Sequence, residues 1–168
     1  MNAAQRRSQI LQLLREARRP LSASALARGL GVSRQIIVGD VALLRAAGAD
    51  ITATPRGYVI LSPSGLVRRV AVRHRPDRME EELTLMVDQG CTVLDVMVEH
   101  PVYGQLTGRL DLSSRHDVAE FTRRVSDSRS QPLAALTDGI HLHTLSCPDE
   151  AAWQRVRRAL EQAGFLLT

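Results

Sequence analysis

Gly139-Ile140-His141-Leu142-His143-Thr144-Leu145 is the stretch on which the reading of this chain turns. Its alternation predicts a strand over 139–146. Residues two apart on a strand project from one face, so His141 and His143 point the same way with Cβ atoms about 7 Å apart. Neutral imidazole is the commonest side-chain ligand of divalent transition metals, and two rings so placed can converge on one ion. A His-x-His pair on a strand is nonetheless more often a surface or hydrogen-bonded pair, so a metal reading needs further ligands. Two candidates lie upstream. His74 closes the alternating run Leu66-Val67-Arg68-Arg69-Val70-Ala71-Val72-Arg73-His74, and Glu80-Glu81-Glu82 opens a helix expected over 77–89. Met79, Leu83, Met86 and Val87 mark the apolar face of that helix. Glu82 lies on the edge of this face, whereas Glu81 points away and Glu80 is intermediate. An acid beside a buried face needs a partner to offset its desolvation, and a cation serves. Glu82 is therefore the preferred carboxylate, and three histidines with one carboxylate leave an ion one or two open positions for an exogenous ligand.

Working outward, 168 residues with 44% hydrophobic content suffice for one or two small domains. No apolar run approaches the roughly 18 residues of a membrane span, and Met1-Asn2-Ala3-Ala4-Gln5-Arg6-Arg7 lacks the apolar core of a signal peptide. A cytoplasmic protein without a membrane partner is expected. Cys91 and Cys147 lack metal-knuckle spacing and are read as small core residues. Charge is uneven: residues 1–61 carry nine arginines against Glu16, Asp40 and Asp50, a net of +6, and the remainder nets −2, together the +4 of the chain. A basic first third beside a mildly acidic remainder points to a polyanion-binding module joined to something else.

That first third reads as three helices. Residues 5–18 place Ile10, Leu13 and Leu14 inward and stop before Pro20. Ser22 caps 23–30, with Leu26, Ala27 and Leu30 inward and Gly31 as the turn; Ser33 caps 34–47, with Ile37, Val41 and Leu44 as its buried stripe. Helix, glycine turn, capped helix is the helix-turn-helix pattern. Residues 50–61 then alternate around Arg56-Gly57, which predicts a β-hairpin wing. The stretch resembles the winged helix-turn-helix modules of bacterial repressors and of bifunctional biotin-ligase repressors. By that resemblance the third helix is the recognition helix, with Ser33, Arg34, Gln35 and Val38, and Ala42 further along, toward the major groove. There arginine suits guanine and glutamine suits adenine. Arg6, Arg45 and Arg56 are expected at phosphate or in the minor groove. Gly39 departs from the polar residue expected mid-helix and costs about 1 kcal/mol against alanine.

Ser62-Pro63-Ser64-Gly65 is the expected boundary. Beyond it the pattern gives strand 66–74, helix 77–89, strands 91–99 and 105–112, helix 114–128, strand 139–146, helix 149–163 and a terminal run 164–167. Asp77 and Asp149 are expected helix caps, and Gly90 and Gly164 expected helix ends. The β-α-β-β-α-β order predicts a ferredoxin-like layer of helices on an antiparallel sheet. The fold class is thus α/β in content, an α+β chain: a winged helix-turn-helix over 1–61 and a sheet domain over 66–168. First and last strands approach closely in such a sheet, so His74 can share a rim with His141 and His143. Glu99-His100-Pro101-Val102-Tyr103-Gly104 is a turn or the wall of a ligand pocket. His116 reads as a solvated helix-start residue and Trp153 as packing.

Several motifs occur together: Val87-Asp88-Gln89-Gly90, the run from Asp95 to Gly104, Ser114-Arg115-His116-Asp117-Val118, the run from Pro132 to Gly139, and Ile140-His141-Leu142-His143-Thr144. With the winged head before them they resemble the niacin-responsive transcriptional repressors, whose regulatory domain is named for three histidines. The resemblance covers almost all of the chain. It implies a metal held by His74, Glu82, His141 and His143, nicotinic acid or a close relative as effector, and repression of genes for niacin salvage or uptake. The spacing argument reaches the same four ligands without naming the effector. One divalent transition metal ion per subunit is expected, nickel or zinc, in a homodimer that reads double-stranded operator DNA. The effector's ring nitrogen would fill an open metal position and its carboxylate would meet Arg73 or Arg75, or the loop of His100 and Tyr103. Three rivals differ in kind. A metal-dependent hydrolase would use the same ligands to activate water but lacks a clearly placed spare base. A pure metal sensor would respond to the ion alone, and a biotin ligase would need a longer chain.

Overall fold

The computed structural model describes residues 1–60 and 65–168, and the chain divides into two compact units, Met1–Ser62 and Pro63–Thr168. Of the expected boundary only Gly65 falls among the described residues; Leu61, Ser62, Pro63 and Ser64 lie outside them.

The first unit is built from α1 (Ala3–Glu16), α2 (Ala23–Leu30), α3 (Arg34–Ala46), β1 (Thr52–Thr54) and β2 (Gly57–Val59). α1 starts two residues before the expected point because Asn2 and Gln5 cap it reciprocally, each side chain accepting from the other's backbone N–H. Ser22 and Ser33 cap α2 and α3, and Gly31 takes the left-handed conformation that ends α2. Ile10, Leu14, Leu26, Leu30, Ile37, Val41, Leu44 and Ile51 form one buried cluster, and fully burying each of the larger of these stabilises the fold by roughly 2 kcal/mol. The wing is a two-stranded antiparallel pair, extended at Leu21, which exchanges both backbone hydrogen bonds with Tyr58. Gly57, at φ +135°, permits this contact, since a Cβ there would lie 2.5 Å from the Leu21 carbonyl.

The second unit comprises β3 (Leu66–Arg73), a 3₁₀ turn (Pro76–Arg78), α4 (Met79–Asp88), β4 (Thr92–His100), β5 (Gly104–Leu112), α5 (Arg115–Asp127), a second 3₁₀ turn (Leu133–Thr137), β6 (Ile140–Cys147) and α6 (Glu150–Gln162). The expected alternation of elements, a four-stranded antiparallel sheet with helices, is present. Strand order is β3-β6-β4-β5; relative to the common ferredoxin-like order, interior and edge strands are exchanged, and the last strand lies inside. β3 and β6 are direct neighbours, as the shared-rim argument requires. The free edge of β3 is covered by the chain end: Phe165 accepts from the Arg73 amide and the Leu167 amide donates to Ala71. Asp149 caps α6, but Asp77 does not cap α4; that residue sits inside the 3₁₀ turn, and α4 begins at Met79 without a side-chain cap. The inner face of the sheet packs Val70, Val72, Val93, Leu112 and Leu145 against Leu83, Met86, Val118, Val156 and Leu160 from the helices. Cys91 and Cys147 belong to this core as free thiols in mutual contact, and burial pushes both thiol pKa values up.

Candidate metal centre

The inward alternation of β6 runs Cys147, Leu145, His143, His141, with Ile140 and Leu142 on the other face at 40% and 38% exposure. The two imidazoles thus extend the apolar core rather than face solvent. Register places Val70 opposite His143 and Val72 opposite His141. Two residues on, His74 faces Gly139, to whose carbonyl its amide donates at 3.4 Å. Gly139 is at φ +85°, and a Cβ there would collide with the carbonyl oxygen of His74. This glycine lets the chain turn into β6 with the third imidazole beside the first two. From above the sheet, α4 directs Glu82 into the same space, fully buried beside Leu83 and Met86. Glu81 pairs outward with Arg78 and Glu80 is exposed.

All three rings direct Nε2 at the Glu82 carboxylate. His74 Nε2 lies 2.5 Å from Oε2, His141 Nε2 3.2 Å from Oε1 and 3.3 Å from Oε2, and His143 Nε2 3.3 Å from Oε1. Each Nδ1–H is committed elsewhere: His74 donates to the Arg75 carbonyl at 2.7 Å, His141 to that of Gly139 at 2.8 Å, and His143 to that of Asp95 at 2.7 Å. A neutral imidazole has one N–H, so these carbonyls put the proton on Nδ1 and leave the Nε2 lone pair facing the carboxylate. Lone pairs of three imidazoles and one carboxylate then converge, which requires a cation, either protons or a metal. Protonation satisfies the cluster in part. Burial would push the Glu82 pKa up, yet the histidine charges and hydrogen bonds hold it well below the usual carboxylate range. Burial likewise opposes charging His74 and His143, but Glu82 outweighs it and their pKa values are raised.

One carboxylate balances one imidazolium, not three, and His143 Nε2, although 3.3 Å from Glu82 Oε1, is a buried nitrogen with no well-aligned hydrogen bond among the described residues. The donor set therefore fits a divalent transition metal, with Nδ1–H tied to carbonyls as metal-binding histidines characteristically are. His74, Glu82 and His141 offer ligand atoms all within 4.8 Å of one another, a trio that does not include His143. Phe165 packs edge-on against the His74 ring at 5.5 Å and carries the Arg78 guanidinium on its face.

The residues expected at an effector fall into two places. Arg73 and Arg75 line a pocket of about 330 Å³ with His74, Asp138 and Gly139. Arg73 is paired to Asp138 at 2.7 Å and Arg75 reaches Asp77 at 3.4 Å. His100 and Tyr103 sit at the β4–β5 turn and do not line this pocket. Their rings lie 5.0 Å apart, and His100 Nδ1 accepts from the amides of Val102 and Tyr103. In the first unit Arg34, Gln35, Ala42 and Arg45 are exposed, while Val38 and Arg56 are half-buried. Ser33 accepts from the Ile36 amide as the cap of α3. Arg6 commits Nε to Asp40 at 2.6 Å, and Arg7 approaches the same carboxylate at 3.5 Å. Sequence reasoning missed three residues that contact these sites: Asp40 on Arg6, Asp95 on His143 and Thr144, and Phe165 on His74. Only an acid on the inward side of the α3 stripe hinted at the first.

Comparison with known proteins agrees with both halves. Residues 6–59 match an HTH domain and residues 67–168 the 3H domain. A probable transcription repressor, NiaR, of Thermotoga maritima is 44% identical over 164 residues, spanning 97% of this chain and 94% of that protein. The transcription repressor NadR of Bacillus subtilis is 44% identical over 169 residues, spanning 98% and 94%. Fold and matches together define a helix-turn-helix transcription repressor with a second domain attached. The chain belongs to the 3H domain family.

Proposed function

We propose that this repressor is controlled by niacin through a metal centre. The observation that carries the reading is the convergence of three Nε2 lone pairs on the buried Glu82 carboxylate, each ring fixed by its Nδ1–H on a carbonyl. One divalent transition metal per chain, nickel or zinc, would be held by His74, Glu82, His141 and His143. When bound, it supplies a Lewis-acid position open to an aromatic nitrogen or a carboxylate. The pocket beside His74 suits a small acid: Arg73 and Arg75 line it, and a nicotinate carboxylate would share or displace Asp138 on Arg73. In the head, α3 would read base edges with Arg34 and Gln35 while Arg45 and Arg56 hold phosphate. A homodimer would set two such helices on half-sites about 34 Å apart, or a multiple of that.

Nicotinic acid acts as corepressor by binding the DNA-competent arrangement more tightly than the other; without such differential affinity no shift follows. The test is equilibrium binding of operator DNA by the metal-loaded protein with and without nicotinate. A tenfold or greater gain in affinity is expected, and superimposable curves overturn niacin control. A pure metal sensor is separated by titrating metal alone: DNA affinity would then change fully before nicotinate is added.

A further inference from the structure

The buried acid Asp95 lies outside the ligand set, at 8% exposure on β4. At this point the ladder is irregular: register shifts between Val93 and Asp95 against both neighbouring strands, β5 and β6. Asp95 stands opposite Thr144 and Val96 opposite His143. Two bonds close the irregularity. The Thr144 amide donates to Asp95 Oδ1 at 3.0 Å, so a side-chain carboxylate takes a role that backbone carbonyls fill in a regular ladder. The main-chain carbonyl of Asp95 accepts His143 Nδ1–H at 2.7 Å. One residue thus grips β6 by the amide of residue 144 and the imidazole of residue 143. A bulge re-aims backbone groups next to functional sites, and here it gives His143 the acceptor that fixes its tautomer.

We propose that Asp95 is the positioning residue of the metal centre: its carboxylate, clamped on the Thr144 amide, holds the β4 bulge so that its carbonyl keeps the His143 Nε2 lone pair facing Glu82. This rests on the reading of the cluster as a metal centre. A side chain that merely stabilised the sheet would lower melting temperature without selecting one ligand. Asp95 acts through His143, so its removal matters only where His143 is present.

The experiment titrates zinc(II) and nickel(II) into the full chain, metal-free, for wild type, Asp95→Ala, Asp95→Asn, His143→Ala and the Asp95→Ala/His143→Ala double variant. Circular dichroism first verifies the fold of each. Asp95→Ala is expected to weaken metal binding about 10- to 100-fold, the usual effect of losing support behind a ligating histidine. Asp95→Asn keeps an oxygen for the Thr144 amide and should stay within about threefold of wild type. In the His143→Ala background Asp95→Ala should cost nothing further, the non-additivity expected of residues acting as one unit. Equal metal affinity in wild type and Asp95→Ala, or an undiminished loss in the double variant, overturns the proposal. A second readout does not depend on metal: at alkaline pH, where the ring is neutral, imidazole ¹⁵N shifts of the metal-free chain should report a single Nδ1–H tautomer at His143 in wild type and a mixture in Asp95→Ala. A flat wild-type titration refutes the metal centre, while the ¹⁵N shifts still decide whether Asp95 fixes the ring; an unchanged tautomer overturns it there.

Discussion

Asp40 and Glu82 are both buried carboxylates on helices, at 4% and 0% exposure, and the two units treat them in opposite ways. In the head, Asp40 is met by Arg6 and Arg7 from α1. Guanidinium is charged at every working pH, so the desolvation of the acid is offset permanently and the pair fastens α1 to α3. In the second unit, Glu82 is met by three imidazoles whose only neutral-state protons are donated elsewhere. Their charge is conditional, so under the proposed function the cluster would exchange protons for a metal ion. The same electrostatic problem yields a structural clamp where the partner is arginine and, where it is histidine, a cluster whose charge depends on what it binds.

The contrast is broken or sharpened by removing each acid. Glu82→Gln takes the sole anionic ligand from among the three rings and should abolish stoichiometric metal uptake, read by metal analysis after desalting. Retention of one metal per chain would remove Glu82 from the site. Asp40→Asn should leave metal uptake unchanged but lower the melting temperature of the head by roughly 5 °C, since two arginines lose their buried partner. A drop in metal content in that variant would dissolve the distinction between the two units.

The smallest effect is the pH dependence of the metal-free chain. The raised pKa values of His74 and His143 contribute stability that is fully present below the ordinary imidazole range and lost as pH rises through their folded values. The lowered Glu82 pKa contributes stability present above the ordinary carboxylate range and lost as pH falls through its folded value. Metal-free protein should therefore be most stable near about pH 5–6. Metal displaces protons from the rings, so the gap in melting temperature between loaded and metal-free protein should widen from pH 6 to pH 8. A gap independent of pH would mean that the rings do not bind the ion.

Much of this was legible in advance where chemistry repeats with a period. The stripe Ile37, Val41, Leu44 fixed the inward face of α3, and period-two alternation put His141 and His143 on one side of β6, because helix and strand periodicities are local. The edge position of Glu82 followed from the apolar face of α4. What periodicity did not carry was pairing between distant segments. That Arg6 would turn to Asp40, thirty-four residues on, depends on how α1 crosses α3. That Asp95 would support His143 depends on a bulge in a register shared by strands 48 residues apart. Asp77 read as a helix cap until the chain spent it in a 3₁₀ turn.

The sequence by itself determined the order of elements, the inward faces, the basic head and the identity of the convergent side chains, all set by spacing along one segment. The tertiary structure alone decided which strands became neighbours, and with them that a histidine ending β3 faces Gly139 and meets two others over a buried glutamate. Convergence is a property of register, and register is chosen by the joint burial of all the strands, which no single segment encodes.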